Sequence, residues 1–356
     1  MRAGLTLASG CSADEDRPTP GAEAAWVGRT ANYGAAPVAV LIDHGSELCS
    51  AVVVSPRLIL TAGHCLLQGS AALRVSFDSP AGAIENDGRL LDARWTRNFD
   101  PLTLQDDLVL AVLSHETAFA PISLAHAAPG EHDVLTVVGF GGSPEAPFLR
   151  SSGAVMSQRI DPETGLLRLS PAPARVCHGD SGAPIFNARG ELVAIVSRGP
   201  AECDAEFGAT LLTDEHREWL QQFALEVEAR AAPGKRCWFD AQCEDGQCVS
   251  PVDAPGRRYC APNCGPTIRC PAPMTCDMTQ GRCMLPRPSP GALGSACTEA
   301  WDCGVGVCGQ PLNSNQTSQC LQPCAGLDLG CPPEQRCVPA QLRGSPSPWT
   351  HVCIDR

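Results

Sequence analysis

The chain has 356 residues, a net charge of −13 and 21 cysteines. That length exceeds one ordinary compact domain, and so many thiols suit an oxidising compartment, where they become disulfides. The acid excess lies upstream, since residues 233–356 hold ten acids and ten bases. This balance excludes a nucleic-acid binder, and no apolar run approaches the ~18 residues that a membrane-spanning helix needs.

The opening "MRAGLTLASGCSADED" carries Arg2, a short apolar stretch, small residues and then Cys11, similar to the end of a bacterial lipoprotein signal. Cys11 is therefore a lipidation candidate; the competing reading is an ordinary residue in a disordered leader. Setting it aside leaves twenty cysteines, an even number that can pair completely. Residues 1–24 form this signal or leader segment, whose second half is too small and acidic to offset the entropy of ordering. From residue 25 to about 212, runs rich in Val, Ile and Leu are broken by Gly, Pro, Asp and Ser: "APVAVLID", "CSAVVVSPRLILTAG", "DDLVLAVL", "VLTVVGFGG" and "ELVAIVSRG". They predict the strands of an all-β sandwich or barrel. One helix follows in "TDEHREWLQQFALEV". Thr213 is its N-cap, acids fill its first turn, and Trp219, Leu220, Phe223, Ala224 and Val227 share one face.

"ARAAPGKR" marks a linker, after which cysteine, proline and glycine dominate. The cysteines then repeat. From Cys237 the intervening gaps are 5, 4, 11, 3, 5, 5 and 6 residues; from Cys297 they are 5, 4, 11, 3, 6, 5 and 15. Two modules, 231–284 and 285–356, each carry eight cysteines and too little apolar content for a core, so four disulfides would hold each one. Zinc is the competing reading, but the dominant gaps are wide and His351 is the tail's lone histidine. Eight cysteines allow 105 pairings, so connectivity stays open.

A serine hydroxyl attacks a carbonyl when a base takes its proton and a third group holds that base in place. "LTAGHC" presents His64, "DDLVLAVL" presents Asp107, with Asp106 competing for its role, and "RVCHGDSGAP" presents Ser181 between glycines. Together, in the order His, Asp, Ser, these motifs resemble the chymotrypsin/trypsin family of serine endopeptidases over residues 25–230. Weaker similarities follow in "VVGFG", "IVSRG" and "EWLQQF".

The resemblance implies an all-β fold of two six-stranded barrels with a C-terminal helix, followed here by the two disulfide-rich modules. It implies Ser181 as nucleophile, His64 as base and Asp107 as its orienting acid. The amides of Gly179 and Ser181 would form the oxyanion hole, Cys49–Cys65 and Cys177–Cys203 the disulfides, and Ser197 to Gly199 the strand edge to which a peptide adds. Asp180 would pair with a new N-terminus after an activating cut, yet Trp26 stands where the family has Ile or Val, and Ala25 precedes it rather than a base.

Six residues before Ser181, Arg175 would lie at the floor of the specificity pocket. Arginine there opposes Lys and Arg side chains. It either attracts Asp or Glu or is paired internally by Glu202, Asp204 or Glu206, leaving an apolar or mixed pocket. Protein or peptide substrates are expected, with no metal or cofactor. The eight-cysteine modules resemble those on secreted proteases of soil bacteria such as myxobacteria, and are read as binding a surface or matrix component. A secreted or outer-membrane-anchored bacterial enzyme is the expectation; its alternative is an inactive protease-like adhesin.

Overall fold

The computed structural model describes residues 29–31, 38–43, 47–67, 73–78, 84–117, 119–141, 150–199, 203, 205–249, 258–286, 291–298, 302–303, 306–311, 317–324, 331–332, 334–342 and 349–355. Cys11, Ala25, Trp26, Glu202 and Asp204 lie outside them.

Six antiparallel strands close the first barrel in the order β2 (Val38–Asp43), β3 (Glu47–Ser55), β4 (Leu58–Thr61), β7 (Val109–Leu113), β6 (Ile84–Trp95) and β5 (Leu73–Asp78). Side chains alternate across a strand, so a continuous apolar run must be buried on both faces. That is the case here. Ala51, Val53, Ile59, Val109, Ala111 and Leu113 fill the barrel, with Phe77, Trp95 and Phe99. Their neighbours Val52, Val54, Leu58, Leu60, Leu110 and Val112 face a separate core outside it.

The second sheet has seven strands: β1 (Arg29–Ala31), β9 (Ser151–Ile160), β10 (Leu167–Pro171), β13 (Phe207–Leu211), β12 (Leu192–Arg198), β11 (Pro184–Phe186) and β8 (Val134–Gly139). β8 pairs again with β9, from Val134↔Met156 to Gly139↔Ser151, which returns the sheet on itself as a second six-stranded barrel. Two barrels and one helix are the expected all-β fold.

The helix, α1 (Asp214–Glu228), covers the core outside the first barrel with Leu220, Phe223 and Val227. Thr213 caps it reciprocally, its side chain accepting from the His216 N–H while His216 Nδ1 accepts from the Thr213 N–H at 3.2 Å. No helix among the described residues is long and apolar enough to cross a membrane.

The sixteen tail cysteines form eight disulfides with one pattern used twice. Cys237–Cys248, Cys243–Cys260, Cys264–Cys276 and Cys270–Cys283 correspond in order to Cys297–Cys308, Cys303–Cys320, Cys324–Cys337 and Cys331–Cys353. Each module is thus two interlocked pairs in series. Matching cysteines also face each other across short hairpins: Cys248↔Cys260 and Cys276↔Cys283 in the first module, Cys308↔Cys320 and Cys337↔Cys353 in the second.

The first module also packs against the barrel and helix. Trp238, 3% exposed, joins the core beneath α1, its ring edge-on to Phe223 at 6.0 Å. Its Nε1 donates to Asp92 Oδ2 at 3.1 Å. Gln242 Nε2 donates to Val227 O at 2.7 Å, satisfying a carbonyl that the helix end leaves unpaired. Arg57 stacks over Phe239 at 3.7 Å.

Candidate active site

β4 ends at Thr61, and a 3-10 turn, Gly63–Leu66, follows at once and carries His64. The turn is fixed from three sides. Trp95 Nε1 donates to Gly63 O at 2.9 Å, the Cys49–Cys65 disulfide ties the turn to β3, and a Cβ on Gly63 would stand 2.9 Å from the Phe99 ring. Asp107 is fully buried, and its carboxylate is surrounded by donors. His64 Nδ1 donates to Oδ2 at 2.7 Å, the His64 backbone N–H to Oδ1 at 2.8 Å, and Ser197 Oγ to Oδ2 at 2.6 Å. An acceptor-only carboxylate fixes the imidazole's proton on Nδ1 and leaves Nε2 as the ring's basic atom.

Asp106 and Asp107 separate. Asp106 has φ +53°, which turns the chain so that its own side chain meets His216 on α1, with Nε2 to Oδ1 at 2.5 Å. Asp107 alone reaches His64.

Ser181 lies in a turn whose glycines are required by shape. Gly179 and Gly182 have φ of +92° and +82°, a region that only glycine enters freely. A Cβ on Gly182 would stand 2.1 Å from Ser50 O and Thr61 Oγ1, so the serine turn lies against the end of the strand that leads to His64. Ser50 fastens the two together. Its N–H donates to Ser181 O at 2.7 Å and its Oγ to Gly179 O at 2.8 Å, while Oγ accepts from the Phe140 N–H at 3.0 Å. Among the described residues, the amides of Gly179 and Ser181 have no acceptor, and Ser181 Oγ makes no hydrogen bond to His64.

Asp180 is fully buried beside Ser181 and accepts from the N–H groups of Gly141 at 2.9 Å and Cys177 at 3.0 Å. Gly139 and Gly141 make room for it, since a Cβ on either would stand 2.3 or 2.1 Å from a carboxylate oxygen. Cys177–Cys203 joins the serine turn to the segment beyond β12.

Arg175 is half-buried and engaged in contacts of its own. Glu206, one of its expected partners, instead pairs with Arg168 at 3.7 Å. Ser197 and Arg198 close β12, and Gly199 follows, exposed. β12 keeps β13 at its side as far as Arg198↔Gly208 while its pairing with β11 stops at Ile195, so one edge of this stretch lies outside the β11–β12 ladder.

Two features lie outside the sequence reading. Ser197 was expected only as a substrate-strand residue, yet its hydroxyl holds Asp107. Ser50, which fastens the serine turn, carries no motif beyond its place next to Cys49.

A sequence model of the Trypsin family matches residues 25–219, more than half of the chain. The snake venom serine protease nikobin of Vipera nikolskii is 22% identical over 227 residues, 54% of this chain and 84% of nikobin. Human granzyme M is 26% identical over 185 residues, covering 45% and 71% of the two chains. The solved structure of neuropsin, a mouse-brain serine protease, superposes with a TM-score of 0.45 at 22% identity, over 53% of this chain and 94% of that one. A hydrogen-bonded His64 and Asp107, a glycine-flanked Ser181 and a match along most of the two-barrel region lead to one assignment: the chain belongs to the trypsin family of serine proteases.

Proposed function

We propose that the chain is a secreted endopeptidase that cleaves peptide bonds through an acyl-enzyme on Ser181. The observation that carries this is the buried Asp107 carboxylate, which accepts three hydrogen bonds, two of them from His64. His64 Nε2 takes the Ser181 proton as Oγ attacks the carbonyl carbon, and then gives it to the leaving amine. Asp107 holds the ring and stabilises the imidazolium in between. The amides of Gly179 and Ser181 receive the developing oxyanion; one such donor is worth about 2.7–4 kcal/mol in the transition state. The Ser181–His64 hydrogen bond is the one link not formed, and such bonds tighten when substrate binds.

Substrate adds as a strand along Ser197 to Gly199, with Arg175 beneath its side chain. Arg175 disfavours Lys and Arg before the scissile bond, leaving acidic or small apolar side chains. Asp180 is the partner for a new N-terminus near Trp26. Cys11 anchors the enzyme in the outer membrane of a bacterium if it is lipidated, and the cysteine-rich modules localise it on a surface or matrix. Twenty cysteines besides Cys11, each bonded to another, support an extracytoplasmic setting.

The deciding experiment is labelling of the purified full chain with a fluorophosphonate. Ser181 is modified, and Ser181→Ala and His64→Ala lose the label. A folded protein that stays unlabelled is instead a protease-like binding protein.

A further inference from the structure

We propose that α1 is a positioning element for Asp107, acting through a second histidine–aspartate pair, His216–Asp106. This rests on the reading of Asp107 as the acid that orients His64. Two adjacent carboxylates each hold a different histidine: Asp107 holds His64 at 2.7 Å, and Asp106 holds His216 at 2.5 Å. The pairs diverge because Asp106 sits in the left-handed region, where the Cβ of an L-residue crowds the next carbonyl. Something must hold it there. Thr96 Oγ1 and the Leu108 N–H both donate to Asp106 O, at 2.7 and 2.8 Å, and His216 secures the side chain. Both members of the outer pair are nearly buried, with side chains 10% and 14% exposed.

The contact is separate from helix capping. The cap uses His216 Nδ1, which faces Thr213, whereas Asp106 takes Nε2. The helix offers a rigid reference at both ends. At its start, Arg217 donates to Ala125 O at 2.7 Å and Leu212 O at 3.0 Å. At its end, Gln242 and Trp238 of the first cysteine-rich module hold it down. A shift of Asp106 passes through one peptide bond to Asp107, whose three hydrogen bonds tolerate little displacement. His216 is thus a positioning residue that touches neither substrate nor the reacting atoms.

Two substitutions separate this role from capping. Glutamine and glutamate at the third helical position both complete a cap with Thr213. Glutamine also offers an amide donor to Asp106, whereas glutamate sets a second carboxylate against it. In the full chain, His216→Glu is expected to lower the maximal rate of fluorophosphonate labelling about ten-fold while leaving the half-saturating concentration within about two-fold. His216→Gln is expected to stay within about two-fold of wild type on both measures. Equal rates for the two variants would reduce His216 to a helix cap and overturn the proposal. If His216→Glu fails to fold, Asp106→Gly removes the carboxylate without backbone strain and is expected to show the same loss; a wild-type rate there overturns the proposal too.

A second readout needs no activity. The His64 Nδ1 proton, assigned by its absence in His64→Ala, gives a downfield proton resonance that reports the His64–Asp107 bond. It moves in His216→Glu or Asp106→Gly and stays in His216→Gln; an unmoved resonance in all three refutes the coupling. If wild type itself is unlabelled, the proposed activity falls, and this resonance still decides the positioning role.

Discussion

Trp238→Ala tests whether the first cysteine-rich module is part of the core that carries the candidate active site. The indole is 3% exposed, packs against Phe223 and belongs to a cluster with Leu58, Leu110, Leu220 and Val227. Truncating a buried aromatic to alanine costs about 3–5 kcal/mol, the transfer term plus the cavity left behind. The lost Nε1 bond adds little, because Asp92 keeps Arg236 at 3.0 Å and is not stranded. At about 2–4 °C per kcal/mol for a unit of this size, Tm falls by roughly 6–20 °C. The assay is thermal unfolding of the oxidised full chain, with amide exchange across α1 recorded at the same time. Thr298, exposed at the matching place after Cys297, is the control: Thr298→Ala loses one exposed hydroxyl bond to Asp302 and keeps the Thr298 N–H bond to it, so stability should move by about 1 kcal/mol or less. A Trp238→Ala protein that melts within about 3 °C of wild type, with α1 still protected, would show that the module merely rests against the barrel.

Ser197→Ala removes a charge-assisted donor worth about 1.5–3 kcal/mol from a buried carboxylate. The maximal rate of Ser181 labelling should drop roughly ten-fold or more, and an unchanged rate would mean that Asp107 needs only its two bonds from His64. Gly141→Ala drives a methyl into the Asp180 carboxylate, at a cost of about 1–3 kcal/mol and with slower labelling of the adjacent Ser181; wild-type Tm and labelling together would contradict that packing. Arg175→Asp should raise cleavage after Lys and Arg in a peptide-library profile, and a wild type that already prefers them would remove Arg175 from the pocket. Asp277 is held below the usual carboxylate range first by the Thr279 hydroxyl and then by backbone N–H groups. Its folded value is the lower one, so its contribution to stability is present above the unfolded value and disappears as pH falls through the folded one. Protection of the Thr279 and Gln280 amides, measured relative to their intrinsic exchange rates, should weaken below about pH 4, a dependence that Asp277→Asn should lack.

The sequence by itself determined the strands, the helix and the repeat, because each is written in local pattern. Apolar runs such as "SAVVVS" and "LILT" form strands buried on both faces, Thr213 caps α1, and Leu220, Phe223 and Val227 form its inner stripe. The cysteine gaps announced two like modules. The glycines around Ser181 are legible for the same reason, since a left-handed backbone leaves its mark in residue type.

Only the tertiary structure decided matters that depend on partners distant in sequence. Which of the sixteen tail cysteines bond is a question of spatial approach, and spacing leaves all 105 pairings within each module open, whereas Cys49–Cys65 and Cys177–Cys203 were already implied by the resemblance. Asp106 and Asp107 are chemically identical neighbours, and one positive φ sends them to histidines 110 and 43 residues away. Ser197 and Ser50 look like ordinary strand serines until the strands bring them against Asp107 and Gly179. Glu206 was free to meet Arg175 until strand register set it near Arg168. Trp238 sits between cysteines in a segment with no apolar pattern, yet it completes the core beneath α1. Burial of a single side chain is fixed by the surface it meets, and the core that Trp238 joins is drawn from residues between Val38 and Val227.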